Sequence, residues 1–242
     1  MSYRNMGGRI AITGSMPALS SLPCHVIFAI NTPPYDTDAQ TLNMRGFSAD
    51  GYEGYHTFSF RFGGYAAMRD RGYNYGAPLG ADIQVDPGYN LDADGRSNLW
   101  TWVWVHINST SLRGFRVHNS QDFTAGGTFT DPAVLNSVEF GAGLPAAAKV
   151  AHLHFLSALT VTEFNGIIAG TVDPAGLPAL IDGFRMRSDL TSVNGLLSAT
   201  AMGTAPVLDT DNPVVPNFTS GGAVEPGTGS ALRGRRVGGF GW

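Results

Sequence analysis

The run Trp100-Thr-Trp102-Val-Trp104-Val-His106 constrains this chain more than any other segment. It is too short and too rich in β-branched and aromatic residues for a helix. As a strand it carries large apolar residues on both faces, whereas a sheet facing water on one side shows apolar-polar alternation. Such a strand belongs in the middle of a sheet whose two faces are both covered. One cover is a second sheet; the other is a loop or a partner. A second segment, His56-Thr-Phe58-Ser-Phe60-Arg-Phe62, alternates strictly, with three phenylalanines on one face and Thr57, Ser59 and Arg61 on the other, and reads as a half-buried strand.

Further strands are expected where branched and aromatic residues cluster: 9–13, 25–31, 114–118, 137–140 and 150–156. Thirty-two glycines and 14 prolines interrupt the 242 residues at short intervals, as many short strands joined by tight turns require. One helix start is legible. Thr160-Val-Thr-Glu163 has the spacing of a capping box, which predicts a short helix with Phe164, Ile167 and Ile168 turned inward and Gly170 at its end. From about residue 216 the composition shifts to Gly, Ser, Thr and Pro. It closes on Arg233, Arg235, Arg236, Phe240 and Trp242, a stretch with too little apolar surface to fold alone. The expected organisation is a sandwich over 1–218 followed by an extended tail over 219–242.

Several function classes are disfavoured by composition. A net charge of −4 gives no nucleic-acid footprint. No stretch of about 18 apolar residues predicts membrane insertion, and no basic-then-apolar leader predicts export, so synthesis in a host cytoplasm without a signal peptide is expected. A single cysteine, Cys24, excludes an internal disulfide and lies in an apolar run where its thiol should be inert. Lys149 is the only lysine beside fourteen arginines, a bias that suits an arginine-rich interface and equally a GC-rich genome. The only glutamates are Glu53, Glu139, Glu163 and Glu225, and no two sit on alternate positions of one strand, as a glycosidase pair would. No Gly-x-Ser-x-Gly elbow is present. The chain therefore reads as non-enzymatic, with no required cofactor.

Three groups of side chains remain as candidates for binding. Tyr65, Arg69, Tyr73, Tyr75 and Tyr89 fall in the Gly-rich stretch 46–91 and offer rigid aromatic faces beside guanidinium donors, as a glycan site or a protein interface needs. Asp92 and Asp94, alternating before Gly95, have the chemistry of a calcium loop, although no distal glutamate completes an EF-hand; a plain turn is the commoner meaning. His152 and His154 lie two apart on a predicted strand and could offer two imidazoles to a metal, with His106 or an aspartate as third ligand. Histidines on a sandwich face are more often structural.

From Asn98 to Thr171 the order of features resembles the later half of concanavalin A-like domains of the laminin G and pentraxin type. The tryptophan strand is followed by Arg116-Val-His-Asn119-Ser120, which lacks the glycine of the family's turn, then by Phe140-Gly141-Ala142-Gly143, then by a strand from Val150 running into the Leu159-Thr160 helix start. The resemblance implies an all-β, two-sheet antiparallel jelly-roll sandwich with one short helix, and rim loops that often bind calcium. The segments Leu180 to Leu190 and Asp209 to Pro213 resemble those that follow this domain in phage and prophage structural proteins. That implies a structural protein on a virion surface, a capsid decoration or appendage subunit, with other particle proteins as partners, self-association as a homo-oligomer, and Arg233, Arg235, Arg236, Phe240 and Trp242 as a tail interface. A glycan-binding adhesin is the alternative.

Overall fold

The computed structural model describes residues 2–4, 8–14, 23–33, 39–47, 53–63, 65–74, 83–89, 99–107, 112–118, 123–126, 134–186, 189–203 and 207–209; the strands between 53 and 89 are described by their backbone pairing. Fifteen strands occur among them: β1 (Ser2–Arg4), β2 (Arg9–Gly14), β3 (Cys24–Asn31), β4 (Ala39–Phe47), β5 (Glu53–Gly63), β6 (Tyr65–Asn74), β7 (Ile83–Tyr89), β8 (Thr101–Ile107), β9 (Leu112–Val117), β10 (Phe123–Gly126), β11 (Val134–Phe140), β12 (Lys149–Leu156), β13 (Leu180–Phe184), β14 (Leu197–Met202) and β15 (Val207–Asp209). One α-helix, α1 (Val161–Ile168), and a single 3-10 turn, Pro174–Gly176, follow β12. Every strand pair is antiparallel. The first sheet runs β10-β9-β8-β3-β12-β1-β15, with β13 also on β12, and the second runs β14-β2-β11-β4-β5-β6-β7. Because the chain repeatedly crosses between them, β3 lies between β8 and β12, and β11 between β2 and β4.

The two sheets enclose one apolar layer. Ile10, Ile12, Leu42, Met44, Val138 and Phe140 of the second sheet meet Val26, Phe28, Val103, Val105, Leu153 and Phe155 of the first. Phe28 and Phe140 touch edge to face across it at 5.1 Å between ring centroids. Each fully buried side chain of this size stabilises the fold by about 1.5–3 kcal/mol relative to exposure. Fold class is thus as expected, an all-β two-sheet antiparallel sandwich with one short helix. The tail, 219–242, lies outside the described residues.

A second apolar cluster explains the two-faced tryptophan strand. In β8, Val103 and Val105 point into the inter-sheet core, while Trp102 and Trp104 belong to a cluster with Ile27, Ala29, Ala151, Leu156, Leu159, Phe164 and Ile167. The outer cover of the first sheet is therefore α1 and its flanking segments, supplied by the chain itself. Among the described residues no helix is long and apolar enough to cross a membrane.

Seven of the strands coincide with the segments read from sequence. The largest addition is β6 and β7, which continue the sheet from β5 and turn much of the Gly-rich stretch 46–91 into strand. The missing turn glycine after β9 also has an explanation. His118 itself takes the left-handed conformation at φ 46°, and its N–H bonds to Trp102 O at 2.8 Å, so the backbone bend is kept without glycine.

Candidate functional site

Two outer faces of the sandwich concentrate the residues singled out by sequence. On the second sheet, β5 and β6 are in continuous register, with Tyr55 opposite Tyr73, Thr57 opposite Arg71 and Ser59 opposite Arg69. Buried Leu42 of β4 is opposite Phe58. Since strand positions alternate between faces, 58 falls on the core side, and positions 55, 57 and 59 with 65, 69, 71 and 73 fall on the outer side. Tyr65, Arg69 and Tyr73 thus share one face of β6. Tyr89 is opposite Ala66 and falls on the other side. Tyr75, Asp92, Asp94 and the tail positions Arg233, Arg235, Arg236, Phe240 and Trp242 lie outside the described residues.

The outer face of the first sheet carries buried histidines between tryptophans. Its cover is positioned by the predicted capping box: Glu163 N–H donates to Thr160 Oγ1 at 3.2 Å and Thr160 N–H donates to Glu163 Oε2 at 2.8 Å. The Thr160 hydroxyl and backbone bonds hold the Glu163 carboxyl below the usual carboxylate range. Gly170, at φ 75°, ends the helix in the left-handed conformation. Phe164 and Ile167 are buried against the sheet, with Phe164 5.4 Å from the Trp104 ring. Trp104 Nε1–H donates to His25 Nδ1 at 3.0 Å. An indole can only donate, so His25 Nδ1 is an acceptor and the His25 proton sits on Nε2.

His152 and His154 come together by an unexpected route. The register of β12 on β3 shifts between Ala151 and Leu153, so His152 is the extra residue of a bulge, at φ 51°. Its N–H bonds out of line to Arg185 O at 3.2 Å. The bulge returns Leu153 to the core and leaves both imidazoles on the outer side, His154 Nε2 3.5 Å from His152 Nδ1, with Trp102 5.3 Å from His152 between centroids. Both histidines are fully buried. Burial, reinforced by the positive charge of Arg185 and partly opposed by Asp182, pushes the His154 imidazole down to about 3. Among the described residues no three His, Cys, Asp or Glu side chains converge as metal ligands, so the pair does not acquire the third ligand that a zinc site needs.

A carboxylate that sequence reading did not single out organises the neighbouring loop. Asp182 of β13 is fully buried. Its Oδ1 accepts the N–H groups of Gly183 (2.7 Å) and Asn194 (2.8 Å), and its Oδ2 accepts the N–H groups of Leu196 (2.9 Å) and Leu197 (2.8 Å) and the Ser192 hydroxyl (2.5 Å). Burial raises its pKa, but the hydrogen bonds from Ser192 and these amides outweigh that and hold it below the usual value. With its acceptor sites occupied, Asp182 is a structural anchor. The sequence feature that points to this loop is the turn-forming pair Asn194-Gly195. Cys24 is buried as expected, and desolvation pushes its thiol up to about 12.

No protein-family model matches the sequence, and no curated protein matches it. Solved structures do. A heptameric SAP-like pentraxin from Limulus polyphemus aligns at TM-score 0.49 and 7% identity, over 87% of this chain and 91% of that one. The binding domain of botulinum neurotoxin DC, in complex with SialylT, aligns at TM-score 0.46 and 10% identity, over 66% and 39%. Tailspike protein 2 from an Escherichia coli O157:H7 bacteriophage aligns at TM-score 0.44 and 13% identity, over 74% and 25%. This chain spans two fifths or less of the toxin and tailspike chains it matches. All three TM-scores are below 0.5, so the sandwich stands on the strand pairing of this chain itself.

Proposed function

We propose that this protein is a non-catalytic binding and assembly subunit of a phage-like particle, a capsid decoration or appendage protein displayed on the virion surface. The observation that carries the binding part is the register of β5 and β6, which sets Tyr55 with Tyr73, Thr57 with Arg71 and Ser59 with Arg69 along one outer face. Tyrosine and arginine supply a large share of contact energy at protein interfaces, because a rigid aromatic or planar cation loses little entropy on binding. The tail residues Arg233, Arg235, Arg236, Phe240 and Trp242 provide a second contact element in this reading, with carboxylates and aromatic pockets of a neighbouring subunit as their complement.

The solution mass of the full-length chain, compared with a chain ending at Pro216, tests assembly. A defined oligomer that falls to monomer on truncation supports the tail role; an unchanged mass in the two forms removes it. The same tyrosine and arginine positions favour a second reading, a glycan-binding adhesin, since tyrosine stacks on sugar faces and arginine and serine supply donors. A glycan screen whose hit is lost with Tyr73→Ala supports it. A blank screen leaves the protein-contact reading.

A further inference from the structure

The His152–His154 pair is an unusual thing to bury. Two imidazoles touch at 3.5 Å with no solvent exposure, in a bulge whose first residue is held at φ 51°. The contact accommodates one proton. If both rings become imidazolium, two N–H donors confront each other. The other nitrogen of His154, Nδ1, has no hydrogen-bond acceptor among the described residues. It faces Gly183, where even a Cβ would stand 2.2 Å away. A proton arriving there, on a ring with no solvent exposure, finds no acceptor among the described residues.

The surroundings make a second positive charge worse. Arg185, at the end of β13, acts on His154 as a like charge, opposed by Asp182, whose oxygens are already engaged by loop donors. Arg185 Nη2 also bonds Asp173 Oδ2 at 2.6 Å, and Asp173 caps the 3-10 turn through Ala175 N–H at 3.0 Å. The outer cover is thus tied to the sheet through the same arginine that a protonated histidine repels. On the other packed elements, Glu163 of α1 is engaged in its cap, His25 accepts from Trp104, His106 lies beyond Trp104 at 5.2 Å, and Lys149 stands at the start of β12.

We infer that the His152–His154 pair is an acid-sensitive latch, whose protonation releases α1 and the Pro174–Gly176 turn from the outer face of the first sheet and exposes Trp102 and Trp104. The sign follows from linkage. The His154 imidazole, its pKa lowered by burial in the closed form and ordinary once exposed, leaves closure intact above about pH 6.5 and weakens it as pH falls below that, by about tenfold in population per pH unit.

The test is tryptophan emission and iodide quenching of the full chain from about pH 7.5 to about pH 4, with far-UV circular dichroism and ring NMR of the histidines in parallel. The expected result is a red shift and increased quenching below about pH 6.5 while the β signal persists, with the His154 ring neutral until the emission changes. His152→Gln and His154→Gln should each move the midpoint down or make the transition shallower. Emission unchanged down to about pH 4, rings titrating normally with the tryptophans still protected, or loss of the β signal together with the emission change would overturn the latch. So would an identical transition in both variants. If neither variant folds, the wild-type emission and ring titration decide alone.

Discussion

Gly183 lies directly opposite His154 across the β12–β13 pair, and a Cβ at that position would stand 2.2 Å from the imidazole Nδ1 and 2.7 Å from Leu153 O. Both neighbours are fully buried and one is backbone, so neither can withdraw cheaply. Gly183→Ala should lower the unfolding free energy by about 1–3 kcal/mol, the range of an overpacked core. Urea unfolding of the full chain checks it, and an unchanged midpoint would mean that β13 can slide away from β12.

Asp182 collects five donors from Gly183, Ser192, Asn194, Leu196 and Leu197. Asp182→Asn keeps the shape but turns an amide towards one set of those donors, and each buried donor left unpaired costs about 1–3 kcal/mol. The expected result is a clear loss of stability, with faster amide exchange at Asn194, Leu196 and Leu197.

The same carboxylate has a pKa held below its ordinary 3.8 in the folded chain. A depressed carboxylate stabilises the fold above its unfolded value and loses that contribution as pH falls through the folded value. Acid unfolding of the wild type below about pH 4 should therefore be steeper than that of Asp182→Asn, since the substituted group does not titrate.

Thr160→Ala removes the hydroxyl half of the capping box, since Glu163 N–H loses its acceptor and the Glu163 carboxylate loses one donor, while the backbone N–H of residue 160 still donates to Glu163 Oε2. The loss should be about 1 kcal/mol, typical of a removed N-cap. Because Phe164 packs on Trp104, the same variant should shift tryptophan emission at neutral pH.

Cys24 is sequestered in the inter-sheet core with its thiol pushed up to about 12. A thiol reagent at about pH 8 should label the native chain only as fast as the sandwich opens, and at the ordinary rate in denaturant. Rapid labelling without denaturant would mean that the sandwich opens locally around β3.

Much of the sandwich could be read from local pattern. Phe58, Phe60 and Phe62 alternate with polar residues, Trp102 and Trp104 alternate with Val103 and Val105, and Thr160 stands three residues before Glu163. Each is a short-range rule of strand or helix geometry, so the strands and the helix start follow from the residues themselves. The tertiary structure decided what covers the tryptophan strand, because the partner surface of Trp104 lies at Phe164, sixty residues on, and no periodicity encodes that distance. It also decided the meeting of His152 and His154. Alternation alone would set them side by side, but the pair occupies the outer face through a bulge that forms only against β3 and Arg185. Asp182 was equally silent, since its five donors come from chain positions ordered by the fold. Patterns of neighbours specify which face a residue takes; long-range pairing specifies what waits on that face, because it depends on loop closure and packing that no local window contains.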